Sequence, residues 1–480
     1  MATLIDPAQP TPIYFQLKTL LLEEILSGRY GVGGRLPTEH ELCGLYGVSR
    51  TPVTRALSEL AQDGVILRHR RRGTFVNPHW LQRQPDGREL RVVVPEGPWE
   101  TMIRDAAPVG TRVSFGRVSL PDLHQTLTQA IAEGRGPDLA VLDSVWVAEF
   151  ARAGFLRPLE ELDREWIEQE VERDFVEPFV SANRVEGQTV AVQAEADVAG
   201  LWYRRSVLAR LGLEPPKTWS ELVAAGRTIA GSSNRRHAVV LPGGSPGGET
   251  TTYCLLAVLA SNGASVLEAG SAVTLESDAT VEALEFLHGL VDAGVVPTAA
   301  VSYEWDRPIR LLAQGRAAIS FGGSYDGPAL AAAAGLPAGR VWDEFGFVAM
   351  PAGPRGGSAL AGGMVYGILR QAAYPELAMG LLEQLVSAES LAPMARATSQ
   401  IPPRRSTLGL VPKPSPLLSA TAAMLERAVV RPATAAYTRV SAQLQATLEA
   451  VLTGRVEPAP AVERAAELIA AITGLPVRRG

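Results

Sequence analysis

Arg50, Thr51, Thr54 and Arg55 crowd two guanidinium groups and two hydroxyls into one short stretch, with Ser49 ahead and Ser58 behind. At about 100° per residue in a helix, Thr51 and Arg55 share one pole, and Thr54 and Ser58 lie beside them. Guanidinium forks and hydroxyls donate to phosphate oxygens and base edges, so this face suits a nucleic-acid groove. Arg50 stands in the first turn, where a helix seated in the major groove meets the bases. Arg70 and Arg72, followed by Gly73 and Thr74, form a second basic group at the tip of a short hairpin.

The flanking residues supply the scaffold for that face. Thr38 and Glu41 make a T-x-x-E capping box, each side chain satisfying an orphan backbone N–H at a helix start. This helix runs through Leu42 and Leu45 to Tyr46; Gly47 permits a tight turn, and Val48 is apolar, as a residue between crossing helices must be. Ser49 is an N-cap for the second helix. Along it Val53, Ala56, Leu57 and Leu60 repeat at i, i+3, i+4 and i+7, a buried stripe. Gly64 closes the helix, and Val65–Leu67 and Thr74–Val76 then pair as strands around a His69–Gly73 tip. Upstream, Thr11 and Pro12 suit an N-cap and first helical position. Ile13, Leu17, Leu20 and Leu21 mark a third helix that reaches Gly28. Helix, turn, helix and basic hairpin are the parts of a winged helix-turn-helix.

Residues 12–78 resemble the DNA-binding domain of the GntR family of bacterial regulators. The matching pieces are PIYFQ from Pro12, SGRY from Ser27, LPTExEL from Leu36, YxVSR from Tyr46, ALxxL from Ala56, DGV from Asp63 and RGTFV from Arg72. The resemblance implies a dimer that binds a short palindromic operator. Arg50 matches a DNA-contacting arginine of the family, and Gly73 and Thr74 match the wing that enters the minor groove. His40 and Thr54 stand where the family commonly has arginine; Arg55, one residue after Thr54, is placed to substitute.

A chain of 480 residues allows two or three domains, and an apolar share of 46% is enough for sizeable cores. The net charge of −6 hides an asymmetry: residues 1–88 carry 11 basic and 8 acidic side chains, the remainder 34 and 43. A basic head on an acidic body fits a phosphate-binding module joined to a region that does not touch DNA. Cys43 and Cys254 have no CxxC or ligand-like neighbours, so small buried residues are expected rather than a disulfide or metal site. The chain shows no opening signal segment and no apolar run near about 18 residues, which points to a cytoplasmic protein. Asn77–Leu90 is polar and turn-rich. Domains are therefore expected over 10–78 and 91–475, with a linker at 79–90.

From Arg91–Val94 onward short apolar runs alternate with amphipathic stretches, the texture of an α/β fold. Strands are expected at Asp138–Leu142, Thr189–Val192, Ala318–Phe321 and Phe345–Val348. Helices are expected at Leu123–Glu133, Trp219–Ile229, Val281–Ala293 and Pro375–Val386. This region resembles the family 1 extracellular solute-binding proteins that serve sugar importers. The pieces run in order: GPDLAVLDSxW from Gly136, FARAGFLRPL from Phe150, ADVAGLWY from Ala196, LGLEPPKTWSEL from Leu211 and GRAAISFGGSY from Gly315. MPAGP from Met350, AGG from Ala361, PELA from Pro375 and IPPR from Ile401 follow.

The resemblance implies a two-lobed α/β periplasmic-binding-protein-like (type II) domain that clamps one small ligand, usually a carbohydrate. It places Asp143, Ser144 and Trp146 after a strand, where the first lobe meets the cleft. Asp197 stands where an acidic residue accepts hydrogen bonds from sugar hydroxyls, and Tyr325 at the place of an aromatic that stacks on a pyranose. Gly362 and Gly363 could offer backbone N–H groups at close approach. Trp305, Tyr366 and Arg404 are further candidates, whereas Trp202 and Trp219 are expected in the core. Sugar C–H faces pack on aromatic rings, and hydroxyl rims pair with carboxylates and amides.

No catalytic residue, cofactor or metal site is expected. Some regulators with this head carry a pyridoxal-phosphate aminotransferase-like domain, which needs a Schiff-base lysine at a strand end among small residues. Lys18, Lys217 and Lys413 lie instead in the first helix, at a helix start and in a proline-rich loop. Peptides, polyamines and anions are alternative ligands, because fold does not fix function. The expectation is a homodimeric, ligand-responsive regulator of operator DNA, acting as a repressor whose bound sugar weakens DNA affinity.

Overall fold

The computed structural model describes the chain apart from residues 1–4, 6–12, 27–28, 32, 63–64, 70–71, 79–88, 109–110, 233–235, 269, 338–339, 399–400, 412–415, 427 and 480. The sequence expectations for Thr11, Pro12, Gly28, Gly64, Arg70, Lys413 and most of the linker fall outside the described residues. Two compact units emerge: Met1–Leu142 with Gly154–Asp163 and Tyr366–Leu385, and Asp143–Ala153 with Arg164–Val365 and Val386–Gly480.

The first unit opens with α1 (Ile13–Leu26), α2 (Glu39–Tyr46) and α3 (Arg50–Gln62), then the hairpin of β1 (Ile66–His69) and β2 (Gly73–Val76). The capping box at Thr38 forms in both directions, and Gly47 ends α2 in the left-handed region with φ 64°. Leu17, Leu21, Leu42, Val53, Ala56, Leu57 and Leu60 are fully buried, so the helical stripe is the core of this head. Each of these leucines, and Val53, contributes about 1.5–3 kcal/mol on burial. The wing strands reach one or two residues closer to the tip than expected, with His69 opposite Gly73. Gly73 at φ 112° lets the ladder begin immediately after the reversal.

Next come β3 (Glu89–Pro95), β4 (Arg112–Val118), α4 (Leu120–Ala132) and β5 (Leu139–Asp143). β3 runs parallel to both β4 and β5, so α4 is the crossover of a βαβ unit. Asp138 is fully buried and accepts from the N–H groups of Arg91 at 2.8 Å and Ala373 at 2.6 Å, so its part in the GPDL piece is structural. Tyr366, a ligand candidate in the sequence, is instead 1% exposed and meets Trp99 edge-on. Helix α1 packs along α4, and Ala130 of α4 is buried in the same cluster as Leu17 and Leu21.

The second unit is built on a mixed sheet of β6 (Asp197–Arg204), β7 (His237–Val240), β8 (Ala317–Gly323), β9 (Phe345–Ala349), β10 (Leu360–Gly362) and β11 (Val429–Val430). Its order is β7-β8-β6-β10-β11, with β9 also on β6, and β6 runs antiparallel to β8, β9 and β10. Helices α5 (Gly248–Ser261), α6 (Tyr437–Leu452) and α7 (Pro458–Thr473) pack together with this sheet in one hydrophobic core. The expected strand over Thr189–Val192 is broken into Gln188–Thr189 and Val192–Gln193, because the Val190 N–H turns to the Asn183 carbonyl at 3.0 Å. Trp202 is fully buried against Trp342, and the Trp219 indole donates to Ser261 at 3.2 Å; both are core residues as expected. Arg404 is also structural: it pairs with Glu170 and Asp174 and donates to the Val386 carbonyl at 3.2 Å. Among the described residues no helix is long and apolar enough to cross a membrane, and no group of three His, Cys, Asp or Glu could hold a metal ion.

Candidate functional site

Two places gather the residues singled out in the sequence. On the head, Thr38, Ser49, Arg50, Thr51, Arg55 and Arg72 are exposed, and Thr54, Gly73 and Thr74 are half-buried. Glu39, at the start of α2, organises this surface. Its carboxylate accepts from Arg50 at 3.0 Å, Thr54 at 3.2 Å and Arg68 at 2.5 Å. Partial burial opposes its charge, yet these three donors hold its pKa below the ordinary glutamate value. Arg55 is engaged differently. Its guanidinium lies 3.6 Å from the centre of the Tyr14 ring and pairs with Glu59 at 3.2 Å, so it is partly tied to α1. Neither Glu39 nor Arg68 was singled out from the sequence, because the hub joins residues 29 positions apart.

The second place lies in the second unit, around the end of β6. Register pairs Asp197 with Gly362, and Ser144 donates its backbone N–H to the Gly363 carbonyl at 3.2 Å. Asp143 accepts the Val145 N–H at 3.2 Å, turning the chain so that Asp143 and Ser144 face Arg431. The Arg431 side chain is 7% exposed and donates to Asp143 at 2.6 Å, Ser144 at 3.0 Å and Glu249 at 3.1 Å. Its guanidinium carbon sits 5.5 Å from the centre of the Tyr253 ring, and the Tyr253 hydroxyl donates to Asp197. Tyr437 at 2.6 Å and Ser441 at 2.9 Å donate to Glu249.

Gly363 is sterically required, and Gly362 sits in tight surroundings. A Cβ on Gly362 would lie 3.1 Å from Arg431 and 3.2 Å from Asp197, and one on Gly363, at φ 129°, only 2.1 Å from the Glu195 carbonyl oxygen. Tyr325 is half-buried with its ring 6.0 Å from that of Tyr253, so it borders the same group. Trp146 is half-buried in the turn after Asp143, whereas Trp305 is 55% exposed on a separate turn. A cavity of about 20 Å³ opens beside Arg431, with Ser144, Gln193, Gly362, Phe179 and Val430 in its wall. That is room for a single water.

Electrostatics mark the cluster. Burial pushes Asp197 up to about 6, against the pull of Arg431 and of the Tyr253 hydroxyl. Burial, reinforced by the Asp197 charge, pushes Glu195 up to about 8, and burial takes Asp326 to about 7. Burial works against the Arg431 charge, but Asp143 and Glu249 keep its pKa above the ordinary arginine value. Sequence reasoning singled out the aspartates and glycines that the fold brings together, and passed over their neighbours Arg431, Glu249, Tyr253 and Glu195. Glu195 lies two residues before Asp197 and was within reach; Arg431 and Glu249 meet only through the fold.

The profile described as bacterial extracellular solute-binding protein matches residues 106–392, and that described as bacterial regulatory proteins, gntR family, matches residues 13–76. A binding-protein relative from Brucella abortus (strain 2308) is 25% identical over 285 residues, covering 58% of this chain and 66% of its own length. A protein of Escherichia coli (strain K12), named as a probable fructoselysine utilization operon transcriptional repressor, is 44% identical over 64 residues, 13% of this chain and 26% of that one. This chain thus spans less than two thirds of either relative. Among solved structures, maltose-bound MalE3 of T. maritima superposes with a TM-score of 0.69 at 25% identity, covering 80% of this chain and 99% of that one. The likeness extends through the two-lobed α/β fold. The chain belongs to the bacterial extracellular solute-binding protein family and carries a gntR-family helix-turn-helix domain at its N-terminal end.

Proposed function

We propose that this protein is a ligand-responsive transcription regulator. The head binds operator DNA through Arg50, Thr51 and Thr54 on α3, with Thr38, Ser49 and Arg55 at its margins. The wing residues Arg70, Arg72, Gly73 and Thr74 follow the minor groove. Two copies bind a palindrome as a homodimer, and the ligand is a small carbohydrate held by Asp143, Ser144, Asp197, Gly362 and Gly363. Trp146, Tyr325 and, from outside the cluster, Trp305 supply aromatic surface. Sugar binding weakens operator affinity, so the protein acts as a cytoplasmic repressor. The maltose in the T. maritima relative and the repressor name of the E. coli relative both support this reading.

The observation that carries it is the shared core of head and sensor. Ala130 of the solute-binding region is buried in the same cluster as Leu17, Leu21 and Leu57 of the head. A change in α4 therefore reaches α1 directly, without passing through the linker. An anion as ligand is not favoured, because the one buried arginine of the site is already matched by Asp143 and Glu249.

The test joins two assays on the full chain. A thermal-shift panel of mono- and oligosaccharides, amino acids, polyamines and organic anions identifies the ligand; 100 times its dissociation constant stabilises the fold by about 2.7 kcal/mol. Fluorescence anisotropy on selected operator DNA then reads the effect of that ligand. A sugar that stabilises the protein and lowers DNA affinity supports the proposal. A hit among the other classes alone, or a sugar without effect on DNA, defeats it.

A further inference from the structure

Arg431 is outnumbered. Asp143 and Glu249 pair with it, and Asp197 approaches from the other side of Gly362, within 3.2 Å of the point where a Cβ would meet Arg431 at 3.1 Å. Three carboxylates thus share one guanidinium. Glu195, 7% exposed, adds a fourth carboxyl beside Asp197, and no described side chain donates to it. Asp197 receives one hydrogen bond at Oδ1, from Tyr253, and its Oδ2 accepts none from the described residues. Arg431 Nε is buried without a partner, and the residue lines the cavity for one water.

Resting on the carbohydrate reading above, we infer that this site selects sugars bearing an ammonium group over their neutral and acidic counterparts. An ammonium placed at Asp197 Oδ2 pairs with the carboxylate that Arg431 leaves uncompensated. A hydroxyl at the same place makes a hydrogen bond but leaves the excess charge buried, and a carboxylate adds repulsion. Arg431 Nε asks for the complementary feature, a neutral acceptor such as a hydroxyl oxygen. The ligand so described is a polyol with one cationic nitrogen, an amino sugar. The cavity beside Arg431 has room for one water, so binding an amino sugar requires its lining side chains to move apart.

Matched triplets test this on the full chain by calorimetry: glucose, glucosamine and glucuronate, with the galactose and mannose series alongside. The expected result is at least tenfold tighter binding of the amino sugar than of its neutral parent in one series, and no binding of the uronate. Asp197→Asn keeps the shape of the site and should bring the ratio of amino-sugar to neutral-sugar affinity down to about one, whatever it costs the neutral sugar itself. Glu195→Gln should reduce it less. Equal affinity for neutral and amino sugars, tighter uronate binding, or a preference that survives Asp197→Asn overturns the inference while leaving the sugar sensor intact. If the wider saccharide panel also gives no binding, the carbohydrate reading itself fails and this inference with it.

Discussion

Arg431 carries most of what single residues decide here. Its removal leaves Asp143 and Glu249 facing each other without a counter-charge. Breaking a buried ion pair costs about 3–5 kcal/mol, and Glu249, whose side chain keeps 34% of its surface exposed, moves the expectation toward the low end. Arg431→Ala should lower stability by about 3 kcal/mol in urea denaturation; a loss below about 1 kcal/mol would mean the carboxylates repel little. The raised carboxyls make a second expectation. Glu195 binds its proton more tightly folded than unfolded, so its contribution is complete below its unfolded pKa and is lost as pH rises through about 8. Asp197 behaves alike through about 6. Glu195→Gln should therefore gain stability relative to wild type between pH 5 and pH 9, on the order of 1 kcal/mol or more. Thermal midpoints measured across that range would show the variant's curve rising relative to that of wild type; parallel curves would exclude the residue.

Elements set how those residues are presented. The turn through Gly363 works only because φ 129° and the absence of a Cβ let β10 pass the Glu195 carbonyl. Gly363→Ala should cost about 1–3 kcal/mol of backbone strain and abolish ligand-induced stabilisation in the same melt. On the head, Glu39 fixes Arg50 and Thr54 at the entrance of α3, whereas Tyr14 of α1 and Glu59 of α3 itself engage Arg55. Arg50→Ala should then weaken operator binding by roughly 1–3 kcal/mol, the worth of a base-reading arginine. Arg55→Ala should cost less, and the reverse order in anisotropy titrations would put Arg55 on the DNA. The periodicity of this domain was open to reading, because Val53, Ala56, Leu57 and Leu60 are neighbours along one helix. The wing strands were read one or two residues short of the tip, since how far the ladder runs depends on the backbone geometry at Gly73 rather than on residue type alone.

For the whole molecule, the question is how ligand and DNA affect one another. Coupling between two sites is typically 1–3 kcal/mol and is reciprocal, so operator DNA should weaken sugar binding by the same factor that sugar weakens DNA binding. The shared core of α1 and α4 is the proposed route. Ala130→Glu puts a charge into that core and should shrink the sugar-dependent change in operator affinity, while the sugar still raises the thermal midpoint of the variant. An unchanged response in anisotropy would remove α4 from the route.

The sequence by itself determined the head, from capping box to apolar stripe, and the ordered pieces of the solute-binding fold, because caps, turns and helical periodicity are local. It also singled out Asp143, Asp197, Gly362 and Gly363, which sit inside those pieces. Only the tertiary structure decided that Arg431 and Glu249, 182 positions apart, close the same site, and that Tyr366 and Arg404 belong to packing. It also decided that a head residue and a sensor residue share one core. Burial, pairing and the resulting pKa values depend on which distant segments meet, and no local pattern encodes that meeting.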